Sequence, residues 1–289
     1  QCIGNIYEEF NKNSDEITNI VVATSGDTGA AAISALSGRK NINLFILHPH
    51  NKISKIQRKI MTTIGGKNIY NIAINGSFDD CQKIVKQMFA DNLFRQTINM
   101  SGVNSINWAR IIFQIVYYFY SFLRMDYKKI NFSVPTGNFG DIYAGYMAKK
   151  MGLPIEKLIV ATNENDILQR VINKGIYKPT KVRSSLSPSM DIQISSNFER
   201  LLFYVLKSKD FEVKKLMNNL EIKGYFRLTN NQKKIIQKDF AAFKVTNKET
   251  KKTIKNIYKK NNFFVDPHTA TGFYAANKIK NKYPCIVLG

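Results

Sequence analysis

The chain is short of acidic residues: 21 Asp and Glu stand against 43 Lys and Arg, a formal charge of +22 over 289 residues. Basic excess on this scale raises nucleic acid and anionic membrane surfaces as partners. Here it is spread along the chain, mostly as Lys, so it reads as a general lysine bias that favours anionic small molecules. Cysteine is scarce too. Cys2, Cys81 and Cys285 lie far apart with no CxxC pair, which argues against a zinc ribbon or a disulfide framework and fits a reducing compartment. No apolar run is long. Residues 111–123 fall short of the roughly 20 needed to span a bilayer and are bounded by Arg110 and Arg124. Glu8 and Glu9 break the start of the chain, so no secretory signal is expected there. Only three His occur; His48 and His50 flank Pro49 without an obvious third metal ligand. The first residue is Gln and the last four are Ile-Val-Leu-Gly, so both ends read as cut.

What remains is a globular composition, 44% hydrophobic and 22% charged, enough for one large domain or two medium ones. Short β-branched runs alternate with helical patterns. Strands are expected at 18–23, 43–47, 69–74, 131–134 and 158–162. Helices are expected at 30–36, 53–61, 79–92, 108–125, 142–151, 166–173, 197–206 and 272–279. This alternation predicts parallel sheets covered by helices. Residues 211–261, Lys-rich and without Pro, read as mostly helical; Lys248 to Lys260 reads as a solvated helix face. Trp108, Phe113, Tyr117, Tyr118 and Tyr120 fall at helical spacing and read as core rather than a base-stacking platform. The weakest boundary falls near 102–105, giving a smaller α/β domain, 1–105, and a larger one, 106–289.

Two glycine loops each join a strand to a helix. In TGNFGD (136–141) the glycines permit a tight turn, and the first helical N–H groups point outward. No Lys-Ser/Thr follows, and the spacing is not GxGxxG, so neither a nucleotide triphosphate nor a dinucleotide is favoured. An isolated phosphate, such as that of pyridoxal phosphate, fits better. The alternative is a plain turn with Asp141 as helix cap. SGDTG (25–29) repeats the design, either as an anion loop or as ordinary capping by Ser25 or Asp27. NSINWAR (104–110) puts two amides, a hydroxyl and Arg110 at another helix start, as a buried anion partner or a snorkelling side chain.

In this order the motifs resemble the threonine synthase family. The likeness runs nearly end to end: ATSGDTG (23–29), FILHP (45–49), FDDCQ (78–82), NSINWAR, SVPTGNFGD (133–141), ATNENDI (161–167), LSPSMDIQ (186–193), SSNFERLLF (195–203) and DPHTA (266–270). The resemblance implies the fold of tryptophan synthase β-like, fold type II enzymes: two three-layer α/β domains with parallel sheets and the cofactor cleft between them. It implies pyridoxal 5'-phosphate as cofactor, its phosphate on Gly137, Asn138, Phe139 and Asp141, and Thr269 at the pyridine nitrogen. A neutral hydroxyl there is not expected to hold that nitrogen protonated as a carboxylate would. Ser25, Asp27 and Thr28 would take the substrate carboxylate, with Asn107 and Arg110 as further contacts. The implied reaction turns O-phosphohomoserine and water into threonine and phosphate in the cytoplasm, without metal, membrane or nucleic-acid partner. A phospholyase releasing a keto acid, a non-catalytic homologue and a basic nucleic-acid-binding protein are the rival readings. The family's Schiff-base lysine sits in an FKD motif that does not occur here. The resemblance puts it just upstream of Gln1, so the chain reads as a fragment with no catalytic lysine of its own.

Overall fold

The structure is a computed structural model that describes residues 2–12, 15–24, 26–102 and 107–289. Ser25 and the domain boundary expected at 105/106 lie outside the described residues. The chain divides into two compact units, Gln1–Arg110 and Ile111–Gly289.

The first unit runs α1 (Cys2–Phe10), β1 (Thr18–Ala23), α2 (Asp27–Leu36), β2 (Ile42–Pro49), α3 (Lys55–Thr63), β3 (Ile69–Ile74), α4 (Phe78–Ala90), α5 (Asn92–Thr97) and β4 (Met100–Gly102). Its sheet has the order β3-β2-β1-β4 with every pair parallel. The two-residue period of β1 splits its side chains between two covered faces. Ile20 and Val22 pack with Ile33 and Leu36 of α2 and Met61 of α3. Val21 and Ala23 pack with Cys81 and Val85 of α4. Helix, sheet, helix is therefore the layering. Ser77 and Asp80 form a capping box that sets where α4 begins.

Helix α6 (Trp108–Leu123) leads into the second unit, which continues with β5 (Ile130–Pro135), α7 (Gly140–Lys150), β6 (Ile155–Thr162), α8 (Ile167–Lys174) and β7 (Ile176–Tyr177). Then come α9 (Phe198–Val205), α10 (Asp210–Lys223), β8 (Phe226–Arg227), α11 (Asn230–Asp239), β9 (Phe240–Lys244), α12 (Asn247–Asn261), α13 (Pro267–Ala276) and β10 (Cys285–Val287). The main sheet is β10-β5-β6-β9, all parallel; β7 and β8 form a small antiparallel pair. Phe132 and Val134 of β5 face the large core with α7, α8 and α9. Ile159 and Ala161 of β6 face Ala275 of α13 on the other side. This unit too is three-layered.

Deep in β5, Asn131 is fully buried, and its Nδ2 donates to Asn281 Oδ1 (2.9 Å) and the Tyr283 carbonyl (3.0 Å). Asn281 Nδ2 returns a bond to Asn131 Oδ1 at 3.1 Å.

Residues 211–261 are mostly helical, as expected, but β9 runs parallel to β6 within them. Capping boxes at Thr229/Gln232 and Thr246/Glu249 start α11 and α12, and the gap between these helices is FAAFK, with Phe240 and Ala242 buried on one face. The aromatic stripe of α6 is not all core: Tyr118 is fully buried, but Trp108, Tyr117 and Tyr120 are exposed. Among the described residues no helix is long and apolar enough to cross a membrane.

Candidate active site

β5 ends at Pro135, with β6 on one side and β10 on the other, so the loop after it opens at a point where the chain leaves the sheet in two directions. Thr136 fixes the exit: its N–H donates to the Ala161 carbonyl (2.8 Å) and its hydroxyl to the Val134 carbonyl (2.6 Å). Phe139 then takes the left-handed conformation (φ 64°), which is costly for a bulky residue. Its ring is held in the core, edge-on to Phe198 at 5.4 Å and beside Phe240 at 5.6 Å. Phe139, not Asp141, is the N-cap of α7, and no side chain caps the helix.

The loop's carbonyls are turned to protein. Gly137 O accepts from Ser195 Oγ (2.9 Å), and Asn138 O accepts from the Asn197 N–H and its Nδ2, both at 3.1 Å. The N–H groups of Gly137, Asn138, Phe139, Gly140 and Asp141 donate to no acceptor among the described residues. Five free donors at the positive end of a helix form an anion cradle. A Cβ on Gly137 would stand 3.0 Å from Ser189 O and 3.2 Å from Met190 Cα, so the 188–192 segment closes directly over it.

Asp141 belongs to this cradle in an unexpected way. The residue is half-buried, but its Oδ1 is enclosed and has no hydrogen-bond partner. Burial pushes its carboxyl up to about 6; the Tyr118 hydroxyl, which donates to the Asp141 carbonyl at 2.9 Å, opposes this. An easily neutralised carboxyl is compatible with a phosphate nearby, where a firmly ionised one would repel it.

The overlying segment is held by a buried polar network. Asp191 Oδ1 accepts from Ser185 Oγ (2.6 Å), Asn163 Nδ2 (2.7 Å) and Asn165 Nδ2 (3.0 Å), and Oδ2 accepts from the Ser185 N–H (2.9 Å). Burial raises the Asp191 carboxyl, and these donors together with the nearby His268 oppose that.

The DPHT turn opens α13 on the same sheet. Ser133 Oγ of β5 donates to the Gly272 carbonyl (2.7 Å), and a Cβ on Gly272 would meet Val287 of β10 at 2.7 Å and Pro135 at 3.3 Å. Asp266 is the N-cap. Its Oδ1 accepts from the His268 N–H (2.8 Å), the Thr269 N–H (3.3 Å) and His268 Nδ1 (3.1 Å), and its Oδ2 from the Thr269 hydroxyl. The expected helix start at Gly272 is thus too late: Asp266 followed by Pro267 is the true signal. His268 Nε2 is enclosed without a partner. Gly289 lies against Thr269, where a Cβ would come within 2.2 Å of the hydroxyl oxygen.

In the first unit, sequence reading missed Thr24. Its hydroxyl accepts from the Gly26 and Gly29 N–H groups, both at 2.9 Å, and so shapes the entry to α2. The α2 N-cap is Gly26 (φ 136°), again with no side-chain cap. The Asp27 side chain lies outside the described atoms. Arg110 Nη1 donates to Thr28 Oγ1 at 3.3 Å, which joins two predicted substrate residues. Asn107 is committed to backbone: its Oδ1 accepts from the Ala109 N–H (2.9 Å) and its Nδ2 donates to Gly102 O (2.8 Å).

The structure thus brings Gly137, Asn138, Phe139 and Asp141 into one loop, with Thr269 on the helix packed beside the same strand. Thr28, Asn107 and Arg110 come together in the first unit. Ser195, Asn197, Asp191 and Asp266 support these groups and were not singled out from sequence. Side-chain hydroxyls, amides and carboxylates within the matched motifs were their signal.

The chain belongs to the pyridoxal-phosphate dependent enzymes, whose family profile matches residues 3–288. Its relatives are more specific. The threonine synthase of Saccharomyces cerevisiae is 47% identical over 306 residues, covering 96% of this chain and 59% of the yeast protein. That of Pseudomonas aeruginosa is 45% identical over 293 residues, covering 100% of this chain and 62% of the other. The crystal structure of the pyridoxal-phosphate-bound threonine synthase from Brucella melitensis superposes with a TM-score of 0.90 at 46% identity, over 99% of this chain and 62% of that one. The chain therefore spans about three fifths of the length of the relatives it matches. The fold is the fold type II α/β architecture of these enzymes, and pyridoxal 5'-phosphate is the cofactor. The residues present fit that group: the five free N–H donors suit its phosphate, and the glycine against Thr269 leaves the hydroxyl uncovered by a side chain.

Proposed function

We propose that the protein makes L-threonine and phosphate from O-phosphohomoserine and water. The observation that carries this reading is the row of N–H groups from Gly137 to Asp141 without an acceptor among the described residues, set in a chain so similar to threonine synthases. When bound, the cofactor supplies an electron sink for negative charge developing on the substrate carbons. Gly137, Asn138, Phe139 and Asp141 hold its phosphate through backbone N–H groups; the Phe139 ring only anchors the turn. Thr269 meets the ring nitrogen. Ser25, Asp27 and Thr28 hold the substrate carboxylate, and Arg110, steadied on Thr28, supplies a permanent positive charge for a substrate anion. Asn107 acts by fixing the start of α6 rather than by reaching substrate.

No lysine within 1–289 is assigned the covalent role; the resemblance puts it before Gln1. The substrate is small, nucleic acid is not a partner, and the cytoplasm is the proposed compartment. The test is product analysis with O-phosphohomoserine, using protein that includes the FKD lysine. Threonine and phosphate in equal amounts are expected. A keto acid in place of threonine identifies a phospholyase, and no turnover identifies a non-catalytic homologue. Borohydride trapping and peptide mapping of residues 1–289 is expected to find no dominant lysine. A single modified lysine there, with turnover, overturns the placement.

A further inference from the structure

We propose that Asp191 is a positioning residue for the cofactor phosphate: it pins residues 185–192 over Gly137 and so fixes where the N–H groups of the TGNFGD loop point. The inference rests on the reading that this loop holds that phosphate. Between β7 and α9 the chain joins no sheet and makes one short 3-10 turn, Pro188–Met190. Backbone outside a ladder has to find its hydrogen bonds on side chains. Ser187, Met190 and Ile192 of this stretch are nonetheless buried. Asp191 is what gathers it. Its carboxylate accepts from the hydroxyl and the N–H of Ser185, and from Asn163 and Asn165, which follow directly on β6. Asn165 holds the start of the stretch as well: its Oδ1 accepts from the Arg183 N–H and its Nδ2 donates to the Arg183 carbonyl, both at 2.8 Å. Bonds to a charged acceptor are the stronger kind, which makes the carboxylate the centre of the network.

The sheet puts this network where it can act. β5 and β6 are parallel neighbours, so Asn163 and Asn165 stand at the same end of the sheet as the TGNFGD loop. The pinned stretch passes Gly137 so closely that a Cβ there would lie 3.0 Å from Ser189 O, 3.2 Å from Met190 Cα and 3.5 Å from Ile192 Cδ1. A little further on, Ser195 Oγ donates to Gly137 O at 2.9 Å. One piece of chain therefore grips Gly137 on two sides, with backbone against its Cα and a hydroxyl on its carbonyl. The peptide planes of Gly137 cannot turn while Asp191 keeps that piece in place, and the Gly137 N–H is the first donor of the cradle. Hydrogen bonds weaken steeply as they bend, so a phosphate held by backbone N–H groups is sensitive to their aim. Asp191 touches no part of the cofactor in this reading and acts through the backbone of Ser189 and Met190.

The test compares pyridoxal phosphate with pyridoxal, which share ring and aldehyde and differ in the phosphate, in protein that includes the FKD lysine. Dissociation constants of both are measured by absorbance titration, and the readout is their ratio. Partial unfolding lowers both affinities by the same factor and leaves the ratio alone. The wild type is expected to prefer the phosphate form about a hundredfold or more. Asp191→Ala is expected to cut that preference about tenfold, with pyridoxal binding changed less than about twofold. Ser185→Ala removes the 2.6 Å bond to Asp191 and is the milder variant should the first fail to fold; a loss of about threefold is expected. Asp239→Ala breaks a half-buried ion pair with Lys149 in the same unit and is expected to lower stability with the ratio unchanged. A wild type that binds both aldehydes equally overturns the reading of the loop as a phosphate site. A wild-type preference that survives in whichever of the Asp191 and Ser185 variants folds overturns this inference alone, and so does an equal loss of preference in Asp239→Ala.

Discussion

The Ser195 hydroxyl donates to the Gly137 carbonyl at 2.9 Å, and the Ser195 N–H donates to the Tyr177 hydroxyl at 2.8 Å. The TGNFGD loop is thus held from behind by a residue that is itself pinned. Ser195→Ala leaves the pin and removes the hold. It is expected to cost about 1 kcal/mol in stability and to weaken pyridoxal phosphate binding about fivefold. Urea unfolding and a cofactor titration measure the two effects; an unchanged dissociation constant breaks the link between Ser195 and the loop.

Gly137→Ala presses a methyl group onto the Ser189 carbonyl and Met190 Cα, neither of which is the end of a flexible side chain. The expected cost is about 1–3 kcal/mol, together with loss of cofactor affinity. Gly65→Ala is the control, since a Cβ there meets nothing within 4 Å. Equal melting temperatures for the two variants sink the steric argument.

Asp141 gives stability a pH dependence. Its carboxyl lies at about 6 in the folded chain against an ordinary 3.8. The native state therefore holds the proton where the unfolded chain has lost it. The contribution of Asp141 to stability is greatest below about pH 4, falls as pH rises to about 6, and then levels, the loss amounting to roughly 3 kcal/mol. Asp141→Asn lacks this fall. Unfolding free energies of both proteins at several pH values between 4 and 7 are compared, and parallel profiles count against it.

Thr28→Val and Arg110→Lys each remove their shared hydrogen bond, the second while keeping charge. Each is expected to weaken O-phosphohomoserine binding about tenfold, with a coupling energy of at least about 0.5 kcal/mol in the double variant. Strict additivity means that the two residues act separately.

The net charge of +22 is expected to serve solubility and anion attraction. Fluorescence anisotropy with duplex DNA should show weak binding lost at moderate salt. Sub-micromolar binding at physiological salt revives the nucleic-acid reading.

Much of the fold was legible because parallel strands buried on both faces are short β-branched runs, as in TNIVVA and INFSVP. β9 was not, because five residues of FAAFK between two lysine-rich helices carry little periodic signal. Both glycine loops announced themselves through strand, turn and helix. Their supports did not, since the partner of Gly137 lies 58 residues along the chain and spacing alone cannot pair them. Asp266 carried a local signal of its own, an Asp before Pro at a helix start. The exposed face of α6 defeated the sequence reading too: an apolar stripe says that a face is apolar without saying what covers it.

Asn131 has a consequence for how the second unit assembles. Its amide is sealed in β5, yet its side-chain partners lie at Asn281 and Tyr283, about 150 residues later. Until that stretch docks, the start of the strand carries an unsatisfied polar group costing about 1–3 kcal/mol. The TGNFGD loop springs from the end of this strand, so the strand that carries the proposed cofactor cradle is complete only after one of the chain's longest loops has closed. Such nonlocal pairing is slow. Until β10 docks, β5 presents one unpaired edge, the kind of surface on which aggregation starts.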